Sequence, residues 1–287
     1  MKREIKFILL LFTVLCLFSC IENHFSSAAD YVPEIAIEGC IETGTPARVI
    51  LSRTVSFKQQ LDTAYLMQHV IRSAKVSVSD GEQIELLTLG TDNNYMSPYI
   101  YYGTQIIGEA GKTYSLKIEY DDRVFTAETT IPEPVAIDSC WFVRSNGKEK
   151  AGHIHISFCN TSNQYYQIAT RVSDTENIFT PCLYGNFPAS LYEKGEIVSM
   201  QINRGPILSK DGGIQFQTWF WETQIVFIKL RTQTKDSYDF WTSWQNEILN
   251  AQNPIFPAHT NLKSNINGGI GCWSGYGTIE YCKIIRN

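Results

Sequence analysis

Glu34-Ile35-Ala36-Ile37-Glu38-Gly39-Cys40-Ile41 roughly alternates apolar and polar residues, the period-two pattern of a strand buried on one face only. Further runs of this kind follow at Ala47 to Arg53, His69 to Ser79, Gln83 to Leu89, Tyr95 to Tyr102, Thr113 to Tyr120 and Val124 to Thr130. Most are separated by Asp80-Gly81, Thr91-Asp92-Asn93-Asn94, Gly108-Glu109-Ala110-Gly111 or Asp121-Asp122, residue types that turn the chain by tolerating left-handed backbone or bonding their own main chain. So dense a series of short strands predicts a mainly β protein that begins with an antiparallel sandwich of immunoglobulin-like or transthyretin-like kind. The Cys-Trp-Cys pattern of a true immunoglobulin domain is absent.

Ile131-Pro132-Glu133-Pro134 interrupts the ladder, since proline cannot donate to it. A boundary there divides a sandwich domain, residues 32–132, from a β-rich C-terminal domain, residues 133–287. In the second domain strands are expected at Ile137 to Arg144, His153 to Cys159 and Gln164 to Val172, then long loops from Asp174 to Gly213. A long aromatic strand, Ile214 to Thr232, would put Trp219 and Trp221 on one face and Phe220 on the other. One segment has helical period: 236–251 aligns Phe240, Trp241, Trp244, Ile248 and Ala251 on one stripe, with Asp236 as candidate N-cap and Pro254 beyond the end. A glycine-rich stretch, Asn265 to Gly277, leads into a terminal strand, Thr278 to Ile285.

The N-terminus reads as an address. Lys2, Arg3 and Lys6 precede an apolar run, Phe7 to Phe18, long enough for a secretory signal and short of the ~20 residues that span a bilayer. It closes on Leu17-Phe18-Ser19-Cys20, the form of a bacterial lipobox, so residues 1–19 are expected to be cleaved and Cys20 lipidated, with 20–31 a polar tether. Acyl chains anchor a protein to a membrane without spanning it. Periplasmic and external leaflets both remain open. The 287 residues carry 24 Lys+Arg against 29 Asp+Glu, net −5; loss of Lys2, Arg3, Glu4 and Lys6 leaves 21 against 28, net −7. Such a balance excludes nucleic-acid binding, which needs clustered excess base. Hydrophobic residues at 44%, charged residues at 18% and a mean hydropathy of −0.15 fit a globular chain and not a multi-span membrane protein.

Together these landmarks carry a resemblance. The lipobox, Ile37-Glu38-Gly39-Cys40-Ile41, Val49-Ile50-Leu51-Ser52-Arg53, Gly111-Lys112-Thr113-Tyr114-Ser115-Leu116-Lys117-Ile118, Tyr238-Asp239-Phe240-Trp241 and Ser264-Asn265-Ile266-Asn267-Gly268-Gly269-Ile270-Gly271 resemble DUF4249, a Bacteroidetes lipoprotein family of uncharacterised function. The resemblance runs over nearly the whole mature chain and implies an outer-membrane protein that assists a neighbouring TonB-dependent receptor in uptake. It brings no catalytic residues.

Six cysteines remain beyond Cys20, an even number that favours disulfides in an exported chain. Cys140 with Cys159, and Cys272 with Cys282, flank turn signals and are candidate pairs across hairpins; buried free thiols are the alternative. Gly268-Gly269-Ile270-Gly271, with Gly275 and Gly277, lacks the following helix or lysine of a phosphate cradle and reads better as backbone packed closely against Trp273 and Tyr276. His153 and His155 share one strand face without a third ligand. No spacing places a nucleophile beside a base, so neither a cofactor, a metal nor enzyme activity is expected, and hydrolase is a distant alternative. Trp219, Trp221, Trp241, Trp244, Trp273 and Tyr276 are the candidate stacking surfaces for a small-molecule or glycan ligand, although such residues also build cores. Asp62-Thr63-Ala64 matches a short O-glycosylation pattern centred on Thr63. The function expected is a non-enzymatic accessory or ligand-binding partner of a TonB-dependent receptor, with a surface adhesion or structural module as the rival.

Overall fold

A computed structural model describes residues 32–285 except 56–62, 96, 148, 162, 174, 209–213, 217 and 251–261. The signal segment, Cys20, the tether, Asp62, Ala251 and Pro254 lie outside the described residues.

The alternation that opens the chain does form a hairpin. Ile35–Glu42 (β1) pairs antiparallel with Pro46–Arg53 (β2), and Gly44 turns between them at φ 78°. Then follow the short helix Thr63–Gln68 (α1) and strands Lys75–Ser79 (β3), Ile84–Leu86 (β4), Thr88–Thr91 (β5), Tyr99–Ile107 (β6), Thr113–Tyr120 (β7) and Arg123–Thr130 (β8). Past the prolines come Ser139–Arg144 (β9), Ala151–Cys159 (β10), Tyr165–Val172 (β11), Thr180–Pro188 (β12), Ile197–Ile202 (β13), Pro206–Leu208 (β14), Ile214–Phe216 (β15), Phe220–Trp221 (β16), Ile225–Gln233 (β17), helix Lys235–Asn250 (α2) and Ile270–Ile284 (β18). The chain is mainly β, with several antiparallel sheets and one long helix.

An eight-stranded sheet, ordered β12-β11-β17-β18-β1-β2-β6-β5, runs through both halves of the sequence. Its centre is the one parallel pair in it, β1 with β18, in register from Ala36 opposite Ile270 to Glu42 opposite Tyr276. Because side chains alternate along each strand, one face of this sheet carries Ile37, Ile41, Val49, Leu51 and Trp273. These pack against Val76, Val78, Tyr114, Leu116, Ile118 and Phe125 of a four-stranded sheet, β4-β3-β7-β8. Further along the same face Tyr166, Ile168, Val172, Val226, Ile228 and Leu230 meet Ile154, Ile156, Phe158, Val198 and Ile202 of a second small sheet, in which β10 pairs with β13, β16 and β9. Two buried clusters therefore lie side by side on one continuous sheet. They divide at Ile131 to Val135, where the prolines stand, yet Ile266 and Trp273 from far along the chain belong to the first.

The segment Ile214 to Thr232 is not one strand. It breaks into β15, β16 and β17 because its residues serve two sheets. Phe220, fully buried, pairs across Gly152 in the small sheet, whereas Val226, Ile228 and Leu230 belong to the large one. Between them Thr223 adopts φ 75°, and the buried Glu222 carboxylate accepts from Arg144. The terminal strand starts at Ile270 instead of Thr278, since glycines at 271, 275 and 277 let it lie against other backbone. A Cβ on Gly275 or Gly277 would meet the Thr130 or Pro132 carbonyl oxygen at 2.6 or 2.1 Å. Close packing, not a phosphate cradle, is what the run provides. The helix begins one residue early: Tyr238 N–H donates to the Thr234 carbonyl at 3.1 Å, so Thr234 and not Asp236 precedes its first turn.

Both expected disulfides are absent, and all six described cysteines are free. Cys272 and Cys282 do not face across a hairpin; they lie on the single strand β18, roughly 30 Å apart at ~3.3 Å per residue. In the β9–β10 hairpin Cys140 stands opposite Ile156, three residues short of Cys159, beyond bridging reach. Cys40, Cys140, Cys182 and Cys272 are buried, Cys159 is half-buried and Cys282 exposed. Thiol titration of the native protein is accordingly expected to label Cys282 fast and Cys159 slowly, and to leave the other four until denaturant is added. A melting temperature that drops with reductant would contradict this assignment.

Candidate functional site

The opposite face of the large sheet carries the other half of each alternation. Glu38, Cys40 and Glu42 project from β1, Arg48 and Ile50 from β2, Cys272, Ser274 and Tyr276 from β18, and Lys229 and Arg231 from β17. A polar strand face ordinarily meets water. Here the aromatic stripe of α2 lies over part of it, and a cavity of about 460 Å³ remains between. Phe240, Trp241 and Trp244 of the helix line it, as do Ile178, Phe179, Thr180 and Pro181 at the entry to β12, and Tyr95 and Ser97 between β5 and β6. Its size lies within the usual range of small-molecule sites.

The helix is fixed over the sheet by hydrogen bonds as well as packing. Trp241 Nε1–H donates to the Tyr276 hydroxyl at 2.6 Å. Asn186 Nδ2 donates to the Tyr238 carbonyl at 3.0 Å and to Thr242 Oγ1 at 2.7 Å, and the Tyr184 N–H donates to Gln245 Oε1 at 2.9 Å. Tyr165 stacks on Tyr238 with ring centroids 4.5 Å apart. The cavity thus has a preformed roof.

Its floor is charged. The buried Glu42 carboxylate accepts from Arg231 Nη2 at 2.5 Å and Lys229 Nζ at 2.7 Å, and Arg48 Nη2 stands 4.0 Å away. Burial alone would raise the carboxyl pKa, but the three cations outweigh it and hold the group at about 2. Arg231 Nη1 donates to Gln167 Oε1 at 3.0 Å, and its guanidinium lies 4.6 Å from the Tyr276 ring centre. Lys229 sits 4.5 Å from the Phe179 ring centre and Arg48 5.8 Å from that of Tyr95. Glu38, on the same face beside Arg48, is exposed to solvent where Glu42 is buried. Burial raises the thiols too, Cys272 to about 12, with Cys40 shifted the same way. Protonated thiols are poor nucleophiles; what this face offers is aromatic surface and charge.

Of the aromatic residues singled out in the sequence, the cavity gathers Trp241, Trp244 and Tyr276. Trp273 is a correction: it projects from the other face of β18, fully buried in the first cluster, where its indole N–H donates to the Tyr114 carbonyl at 2.9 Å. Trp219 and Trp221 lie in and beside β16, in the small sheet on that other face, and do not line the cavity. His155 stacks on Trp141 at 5.5 Å, and His153 Nδ1 lies 3.1 Å from the Thr218 carbonyl oxygen and 3.0 Å from Gln201 Nε2. Among the described residues no three His, Cys, Asp or Glu side chains cluster as metal ligands. Thr63 opens α1. What sequence reasoning missed is the floor: Glu38, Glu42, Arg48, Lys229 and Arg231. The available signal was a pair of charges on one face of each strand, Glu38 and Glu42 in β1 and Lys229 and Arg231 in β17, interleaved with Ile37, Ile41, Ile228 and Leu230.

No helix among the described residues is long and apolar enough to cross a membrane. No curated protein matches the chain. Among solved structures, a chain of a cytokine receptor complex (crystal form 1A) aligns at 7% identity over 70% of this chain and 86% of that one, with a TM-score of 0.24. The model of a domain of unknown function, DUF4249, matches residues 22–281, and the chain belongs to that family.

Proposed function

We propose that this is a lipid-anchored outer-membrane protein that binds a small ligand in the cavity under α2 and serves a TonB-dependent receptor in its uptake. The observation that carries the binding half is the cavity itself. An apolar, aromatic enclosure with a few convergent polar groups is the usual form of a ligand site. The anchoring half rests on the lipobox at Leu17 to Cys20 and on the resemblance to lipoproteins encoded beside such receptors.

Affinity purification of the tagged protein from detergent-solubilised membranes is expected to enrich a TonB-dependent receptor, and Cys20→Ala to shift the protein out of the membrane fraction. Repeated purification without any such receptor would remove the uptake reading in favour of adhesion. A Cys20→Ala protein that stays membrane-bound would remove the anchor.

A further inference from the structure

We propose that the cavity takes an amphipathic organic anion, with its carboxylate on Arg48 and its apolar body against Trp241, Trp244 and Phe179. This rests on the ligand-binding reading above and gives the ligand a chemistry.

Charge counting makes the case. Arg48, Lys229 and Arg231 converge on one buried carboxylate, Glu42, which gives one oxygen to Arg231 and the other to Lys229. Arg48 is left at 4.0 Å, without a hydrogen bond to any described residue, and its side chain keeps 38% exposure while it lines the cavity. It is the cation of the cluster with no donor taken by a described residue. The charged side chains that line the cavity are Arg48 and Arg231 against Glu38, one positive charge in excess, in a chain whose net charge is −5. Local excess of the opposite sign to the whole is how a cleft concentrates a ligand of one charge.

Two buried polar atoms on the lining lack partners as well, Nε of Arg231 and Oγ of Ser97. Arg231 is 4% exposed, so its third donor meets no bulk water, and buried donors are normally satisfied. A guanidinium with free N–H groups suits a carboxylate, which it can bond with two oxygens at once. Ile50, Ile178, Phe179, Phe240, Trp241 and Trp244 give the lining a large apolar share. Aromatic enclosures of this kind also hold organic cations, but those need an anionic floor, and here the two lining arginines would repel them. Glu38, diagonal to Arg48 across the β1–β2 register, opposes an anion mildly and sets how strongly it is held.

Three probes sharing one apolar body separate the alternatives: 4-phenylbutyrate, 4-phenylbutyramide and 4-phenylbutylamine, titrated calorimetrically into the full-length protein in detergent at pH 7. The acid is expected to bind at least about tenfold more tightly than the amide, as a charge-assisted contact should, and the amine most weakly. Arg48→Gln is expected to bring the acid down to the amide's affinity and leave the amide unchanged. Glu38→Gln is expected to tighten the acid severalfold, which keeps a readout should Arg48→Gln fail to fold. Amine or amide binding as tightly as the acid, or an acid preference that survives Arg48→Gln, overturns the anion and leaves the cavity reading standing. If none of the three binds, both fall.

Discussion

Glu42→Gln is expected to lower the unfolding free energy at pH 7 by about 3 to 5 kcal/mol, the range for breaking a buried ion pair from one side. Glu42 is the shared counter-ion of Arg231, at 4% side-chain exposure, and Lys229, at 14%. An amide there can still accept one hydrogen bond, but it leaves both cations uncompensated in a site they cannot escape. The effect must depend on pH in a definite sense. The folded state holds the Glu42 carboxyl at about 2 against an ordinary 4.5, so the carboxylate favours folding. Its contribution is complete above about pH 5 and disappears as the pH falls toward 2; a shift of this size corresponds to about 3 kcal/mol. Urea midpoints of wild type and Glu42→Gln should therefore run parallel from pH 7 to pH 5 and converge below. A difference that stays constant down to pH 2, or one under about 1 kcal/mol at neutrality, would show that the cations find solvent or other partners.

Gly271→Ala is expected to be at least as damaging. Gly271 stands opposite Ile37 in the parallel β1–β18 pair, at φ 123°, and a Cβ there would lie 1.8 Å from the Ile37 carbonyl oxygen. No rotamer relieves this, because both colliding groups are backbone, so the central pair of the large sheet must separate locally. Gly81 is the internal control. It too has a positive φ, 92°, but nothing lies within 4 Å of its Cβ direction. Gly81→Ala should cost only the conformational term, about 1 kcal/mol, a shift of a few degrees in melting temperature at this size. Gly271→Ala should lose several times as much or fail to accumulate as folded protein. Equal melting temperatures for the two variants would mean that the strands part without penalty.

The strands of the first half were legible because each is buried on one face and wet, or nearly so, on the other; Val76, Val78, Leu116 and Ile118 carry the period-two signal cleanly. The helix was legible because Phe240, Trp241 and Trp244 repeat at its own period. Elsewhere the local signal was real but the partner was distant. Ile214 to Thr232 carries apolar or aromatic residues along its whole length, and nothing local says that Phe220 and Val226 serve different sheets. Glycines such as Gly275 and Gly277 usually mark a turn, which is why Cys272 and Cys282 read as facing each other; here those glycines admit neighbouring backbone to an uninterrupted strand. The site was half legible. Tyr276, Trp241 and Trp244 stood out by type, whereas Arg48, Arg231, Glu38 and Glu42 read as ordinary wet-face charges. Only the return of α2 over that face turns them into a floor, and such long-range coverage leaves no mark at positions 38 to 48.

The pairing of β1 with β18 also fixes when the site can exist. A ladder joining residues 36–42 to residues 270–276 closes a loop of most of the chain, the kind of contact whose closure entropy slows folding. During synthesis β1 and β2 emerge early with one side of their sheet unpartnered, and β17 has no route to them except through the last strand. Arg48 and Arg231, which share one carboxylate in the finished protein, belong to separate pieces until Ile270 to Tyr276 slides between them. A chain without Ile270 to Tyr276 would therefore present an open sheet edge and bare charges in place of the cavity, which exists only once β18 has docked between the two pieces.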